Sequence, residues 1–327
     1  MEIIFQIILL LVGFVILIKG ADYMIDGASS TASHFKVSKL LIGLTIIAFG
    51  TGAPELAVSI SSIINGSTDM LLGNVIGSNI LNILLLIGIG AVIRPIRIKK
   101  DSIAKELPLL ILTTVALIAL FLDKALNGAD INTISRSDGV ICLLCFAIFI
   151  FYIIRMAQKN RKAAKEVEKP KFKLSTSIIF IVLGMVGVVG GAELVVTSAS
   201  TIASAIGVSD RMIALTIVAF GTSLPELITT IKAAKRGETE LLVGNIIGSN
   251  IFNICIVLGL PVALFGTITP ESFQIVDVIM LVGSAVILYI TAKTGSRITR
   301  AEGALMLLAF VAYYSFIIYG AIAGGAI

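Results

Sequence analysis

Long apolar runs broken by short polar clusters set the pattern of this chain. Ten such runs lie near residues 2–18, 38–64, 70–93, 106–123, 137–157, 174–196, 211–234, 241–266, 272–292 and 301–320. About 20 apolar residues suffice for a helix to cross a bilayer core. Strands of a membrane barrel need strict alternation of apolar and polar positions, and these runs do not alternate. With no water to satisfy the backbone inside the bilayer, helices are the remaining solution. The pattern predicts an all-α polytopic membrane protein of ten transmembrane helices. The first run carries Glu2 rather than a basic cluster and no clean small-residue cleavage site, so it is expected to be a retained helix.

Composition agrees. Of 327 residues, 57% are apolar and 14% charged, with a mean hydropathy of +1.06, whereas a soluble domain carries about a quarter charged residues. The net charge of +5 would suit a nucleic-acid partner if it formed one patch. It does not: 22 of the 25 lysines and arginines fall in the connections after runs 1, 3, 5, 7 and 9. That asymmetry orients a membrane chain. It predicts both termini outside the cytoplasm, in the cytoplasmic membrane, with the lipid bilayer as the partner of the basic residues and no nucleic acid. Cys142 and Cys145 have C-x-x-C spacing, but they and Cys255 sit in apolar runs and are expected to pack rather than react. His34 falls in the first polar connection, where a solvated or interfacial role is expected.

The chain also repeats itself. Residues 44–88 match residues 215–259 at a constant offset of 171, with 24 of 45 positions identical. The first copy reads LTIIAFGTGAPEL and LLGNVIGSNILNI, the second LTIVAFGTSLPEL and LVGNIIGSNIFNI. Each half holds five runs. An odd number sends the second half through the membrane in the opposite sense, and the basic connections reverse accordingly. Such inverted repeats are a transporter architecture with the substrate site near the midplane. The expected division is 1–157, first repeat; 158–173, charged cytoplasmic linker; 174–327, second repeat.

Pro54 and Pro225 interrupt runs 2 and 7 beside glycines. Proline removes a backbone donor and clashes with the preceding turn, so both helices are expected to break mid-membrane. The carbonyls of Ala48 and Thr51, and those in the matching stretch from Ala219 to Glu226, are then released toward a cation. Non-helical backbone at that depth is tolerated only where it lines protein or a cavity. Glu55 and Glu226 follow the prolines and are the acidic residues expected deep within spans, where an ionisable side chain marks a functional site. Runs 3 and 8 add Asn74, Ser78, Asn79 and Asn82, then Asn245, Ser249, Asn250 and Asn253. Ser78 and Asn82 share a helix face. An all-oxygen donor set suits hard cations such as Ca²⁺ and Na⁺, and no Cys/His cluster points to zinc or copper. Two carboxylates are neutralised by one Ca²⁺, two Na⁺ or two protons. An empty doubly negative site is costly to occlude, which predicts obligatory exchange.

These motifs, GTGAPE and GTSLPE each followed by GNVIGSN or GNIIGSN, resemble the two alpha-repeats of the Ca²⁺/cation antiporter superfamily, in its prokaryotic sodium/calcium exchanger-like branch. The resemblance spans the whole chain. It implies ten helices, antiport of Ca²⁺ against Na⁺, and sliding of helices 1 and 6 against the rest. It implies a site at Ala48, Thr51, Glu55, Ser78 and Asn82, with Ala219, Thr222, Ser223, Glu226, Ser249 and Asn253 from the second repeat. Two departures stand out: the serine usual after the first threonine is Gly52, and Asn82 and Asn253 are both neutral where relatives often carry aspartate. The second argues against K⁺ co-transport and leaves H⁺ as an alternative to Na⁺. The chain is expected to carry Ca²⁺ and Na⁺ as transported ions, to need no cofactor and to function as a monomer. A cation channel would also suit broken helices and oxygen ligands. An intramembrane enzyme finds no support: there are no paired intramembrane aspartates, no serine with a membrane histidine and no HExxH.

Overall fold

The computed structural model describes residues 2–124, 128–163, 169–206, 219–269 and 275–322. They form α1 (Glu2–Phe35), α2 (Lys39–Thr51), α3 (Ala53–Ile64), α4 (Thr68–Ile93), α5 (Lys100–Phe121), α6 (Arg136–Ala163) and α7 (Leu174–Ala205). A short turn of helix at Ala219–Gly221 precedes α8 (Leu224–Arg236), followed by α9 (Thr239–Phe265), α10 (Ile275–Lys293) and α11 (Arg300–Ile322). Two-residue strands β1 (Ile96–Arg97) and β2 (Arg297–Ile298) pair antiparallel between connections.

The protein is a helical, multi-pass membrane protein. Among the described residues, eight helices are long and apolar enough to cross a bilayer. The pair α2 and α3, bent by 45° at Gly52, makes a ninth span. The expected seventh run begins outside the described residues, which resume at Ala219. The first helix runs well past its expected end at residue 18. Lys19, Asp22 and Asp26 do not stop it, because Asp22 pairs with Lys232 and Arg236 on α8 and Asp26 pairs with Arg236 and Lys171. Helix α6 likewise continues to Ala163, into the expected linker. The far end of that linker docks on α1: Ser30 and His34 both reach the Phe172 carbonyl, at 3.3 and 2.7 Å. His34 is therefore an interfacial residue.

The inverted repeat is visible in the packing. Gly88 on α4 meets Gly303 on α11, and its counterpart Gly259 on α9 meets Gly139 on α6. Cys142 packs against the same Gly259 as a small buried side chain. At one end of α5 the connections pair through Ile96 and Ile298; at its other end they pair through Ile134 and Ile268. Each repeat thus ties its loops to the other on opposite faces. Helices α1 and α7 lie together along a glycine seam, where a Cβ on Gly20 would stand 2.7 Å from the Val188 amide. Close approach of backbones between small residues replaces the hydrophobic drive that lipid removes. Helix α9 is the most enclosed span, which fits its place at the centre against α2.

Candidate cation site

Both broken spans break the same way. Gly52 (φ −80°, ψ 2°) and Ser223 (φ −89°, ψ 4°) end the first half-helix, and each is followed by a residue and a proline that open the second. Pro54 and Pro225 occupy the first helical turn, where the missing donor costs nothing. Glu55 and Glu226 sit in that same turn, with the positive end of the half-helix dipole behind them. The Ala48 carbonyl is not wholly released: it accepts the Gly52 amide at 3.0 Å.

The two carboxylates come together at the centre of the protein and are 1% and 2% exposed. Ser223 donates its hydroxyl to Glu55 Oε1 across the repeat boundary at 3.4 Å. Thr51 lies beside Glu226 in the reciprocal position and also reaches Asn245 Oδ1 at 3.5 Å. Thr222 falls in the second break, between Gly221 and Ser223; the Ala219 backbone belongs to the helical turn before it.

The asparagines are arranged with the same two-fold logic. Asn82 Nδ2 donates to Asn250 Oδ1 at 3.2 Å, and Asn253 Nδ2 donates to Asn79 Oδ1 at 3.2 Å. Asn253 also donates to Ser78 Oγ at 3.0 Å. Each amide nitrogen is thereby tied to the opposite repeat, which turns the carbonyl oxygen the other way. Asn82 and Asn253 each begin a π-helical stretch, Asn82–Ile87 and Asn253–Leu258. Such a stretch widens the helix locally and often accompanies function.

A set of buried oxygens is left without partners: Glu55 Oε2, Glu226 Oε2, Asn82 Oδ1, Asn253 Oδ1 and Ser249 Oγ. Buried acceptors without donors are costly. A hard cation would satisfy oxygens of this kind together. No group of three or more His, Cys, Asp or Glu occurs among the described residues, so a transition-metal site finds no support. Of the expected residues, Glu55, Thr51, Ser78, Asn82, Ser223, Glu226, Ser249 and Asn253 are all buried.

Three features have roles that the sequence alone does not show. Asn79 and Asn250 act as positioning residues for the asparagines one turn on, a role visible only once the repeats are docked. Asn74 braces the first break, donating to the Glu55 carbonyl and to Ser59 Oγ at 3.1 Å each. Glu55 and Glu226 are also not the only deeply buried acids: Glu106 is 2% exposed. Nothing in its sequence neighbourhood, a basic connection, sets it apart.

The sodium/calcium exchanger protein family model matches residues 5–155 and 176–319. The chain is 38% identical over 315 residues to the putative antiporter CaxA of Alkalimonas amylolytica, covering 94% of this chain and 96% of that one. It is 30% identical over 343 residues to the sodium/calcium exchanger MaX1 of Methanosarcina acetivorans, covering 95% and 98%. A structure of the sodium-calcium exchanger NCX_Mj, soaked with 10 mM Na⁺ and no Ca²⁺, superposes with a TM-score of 0.81 at 34% identity, covering 97% of this chain and 99% of that one.

Proposed function

The chain belongs to the sodium/calcium exchanger protein family, and from that premise we propose that it is a secondary antiporter moving Ca²⁺ one way and Na⁺ the other across the cytoplasmic membrane. Glu55 and Glu226 are the charged ligands. Thr51, Ser78 and Asn82, with Thr222, Ser223, Ser249 and Asn253, supply neutral oxygens, and the Ala48 and Ala219 carbonyls complete the set. Both termini lie outside the cytoplasm, two inverted repeats (1–157 and 174–327) flank the linker 158–173, and one copy suffices for transport.

The observation that supports this best is the set of buried, unpartnered oxygens contributed by both repeats at Glu55, Glu226, Asn82 and Asn253. A site of charge −2 enclosed by apolar helices is expensive to leave empty. The loaded protein can reorient while the unloaded one is held back, and exchange follows without any gate that senses the counter-ion. A second counter-ion is favoured by the neutrality of Asn82 and Asn253: with only two carboxylates present, two protons balance the site as well as two Na⁺.

Purified protein in vesicles loaded with ⁴⁵Ca²⁺ separates these outcomes. Efflux is expected when Na⁺ is supplied outside and not when K⁺ replaces it. Efflux driven by a proton gradient without Na⁺ would establish the H⁺ form. Rapid efflux with no exchangeable cation outside would mean a channel and end the antiport reading.

A further inference from the structure

A second built pocket lies away from the broken helices. It occupies about 260 Å³ where the connection before α5 meets the start of α2 and the polar end of α6. At its base is Glu106, on the first turn of the main part of α5. The Tyr152 hydroxyl donates to Glu106 Oε1, while Oε2 is buried and unpartnered. Among the described residues no ion pair reaches Glu106: Lys99 is engaged by Glu240 at 2.8 Å and Lys105 by Asp101 at 3.8 Å. At the mouth stand Arg155 and Lys159, one helical turn apart on α6 and both exposed. Arg155 lies over the Phe151 ring, and no ion pair holds either cation among the described residues. Leu40 and Met156 form an apolar wall.

These features contradict each other for any simple occupant. A free anion suits Arg155 and Lys159 but meets a buried carboxylate. A metal cation suits Glu106 but has to pass a basic rim. A zwitterion with an ammonium and a phosphate a few bonds apart satisfies both ends. The pocket opens at the polar ends of membrane spans, the level of lipid head groups, where Arg and Lys side chains normally meet phosphate.

We propose that this pocket binds the head group of a membrane phospholipid bearing a primary amine, the ammonium against Glu106 and Tyr152 and the phosphate against Arg155 and Lys159. Such a lipid bridges α2, α5 and α6, so its binding stabilises the folded bundle. The inference does not depend on which ion the protein transports.

The test uses detergent-purified full-length protein titrated with phosphatidylethanolamine, phosphatidylcholine, phosphatidylglycerol or inorganic phosphate, reading the thermal midpoint. Phosphatidylethanolamine is expected to raise Tm by about 5 °C, and the others by less than about 2 °C. Glu106→Gln should lose the extra rise while keeping a monodisperse elution profile. Because a buried substitution can fail to fold, Arg155→Ala with Lys159→Ala provides a second arm on exposed positions. In native mass spectrometry this variant should retain about tenfold less phosphatidylethanolamine than the parent. Equal stabilisation by all three lipids, a preference for phosphatidylglycerol, or a full effect from inorganic phosphate would each overturn the proposal. So would a Glu106→Gln protein that keeps the ethanolamine preference, or undiminished lipid retention in the double variant.

Discussion

The two repeats match at the centre of the molecule and differ at its ends. At the centre, Glu55 faces Glu226, Asn82 and Asn253 are held by opposite partners, and both helices break with the same backbone geometry. At the ends, Asp22 on α1 is gripped by Lys232 at 3.0 Å and Arg236 at 2.6 Å. Among the described residues its counterpart on α7, Glu193, is met only by Thr197 of its own helix, at 3.4 Å. The positions matching Lys232 and Arg236 are Ser61 and Asn65, which are neutral. The difference has a physical cause. The centre stays symmetric because both copies keep the same residues there: Glu55 and Glu226, Asn82 and Asn253, Pro54 and Pro225. Of the 25 lysines and arginines, 22 lie in the connections after runs 1, 3, 5, 7 and 9, so partners for an acidic side chain are concentrated there.

The largest test of the central symmetry is removal of one charge at a time. Glu55→Gln and Glu226→Gln are each expected to lower ⁴⁵Ca²⁺ exchange by about 100-fold or more, since a divalent ion in a dry site loses half its compensating charge. Both proteins should still insert and elute normally. Wild-type exchange in either variant would remove that residue from the site. One step down, Asn82→Ala and Asn253→Ala each remove a buried, unpartnered carbonyl oxygen proposed as a ligand and orphan an amide partner. Each should weaken apparent Ca²⁺ affinity by about tenfold, and by similar factors. A large effect in one and none in the other would show that the two-fold arrangement of amides is not used as such.

The centre has a linked pair of mismatches, which sharpens the comparison. Ser223 donates to Glu55, but the matching residue in the first repeat is Gly52. A Cβ there would meet the Phe252 ring at 2.9 Å, and that ring is stacked on Phe49 with centroids 5.1 Å apart. The second repeat's phenylalanine thus fills the space where the first repeat's serine would stand, while the position matching Phe252 is Leu81. Gly52→Ser alone is expected to overpack the break and reduce exchange by about fivefold to tenfold. Gly52→Ser with Phe252→Leu should recover most of the rate and bring a hydroxyl toward Glu226. If the single variant exchanges normally, the phenylalanine is not what excludes the hydroxyl.

Much of this was legible because the signals were local or periodic. Among the described residues the apolar runs form helices, and the two prolines and the glutamates behind them sit at the breaks. The paired asparagines were visible as a repeat, but their division of labour was not: Asn79 and Asn250 orient Asn253 and Asn82 only through contacts between residues more than 160 positions apart. Glu106 was hidden for the opposite reason. It stands at the first position of the run 106–123, next to a basic connection, and its buried contact with Tyr152 comes from α6, 46 positions away. The end of α1 was misplaced because charged residues look like a terminus until their partners on α8 are known.

The smallest expected effect concerns the ends. Asp22 and Asp26 join the helix seam of α1 and α7 to α8, with side chains about a quarter exposed. Partly exposed pairs contribute little individually, about 1 kcal/mol or less, and are weakened by salt. Their effect is directional, because no ion pair secures Glu193 among the described residues. If α1 moves relative to α8 during transport, the lacing favours the state closed on that face. Asp22→Asn with Asp26→Asn should then change the exchange rate by about threefold at low ionic strength and by less at high salt. Glu193→Gln should leave the rate within about 1.5-fold of the parent. Equal changes in the two variants, or a change indifferent to salt, would mean that the pairs only fix the fold. The difference between the two faces would then reflect topology alone.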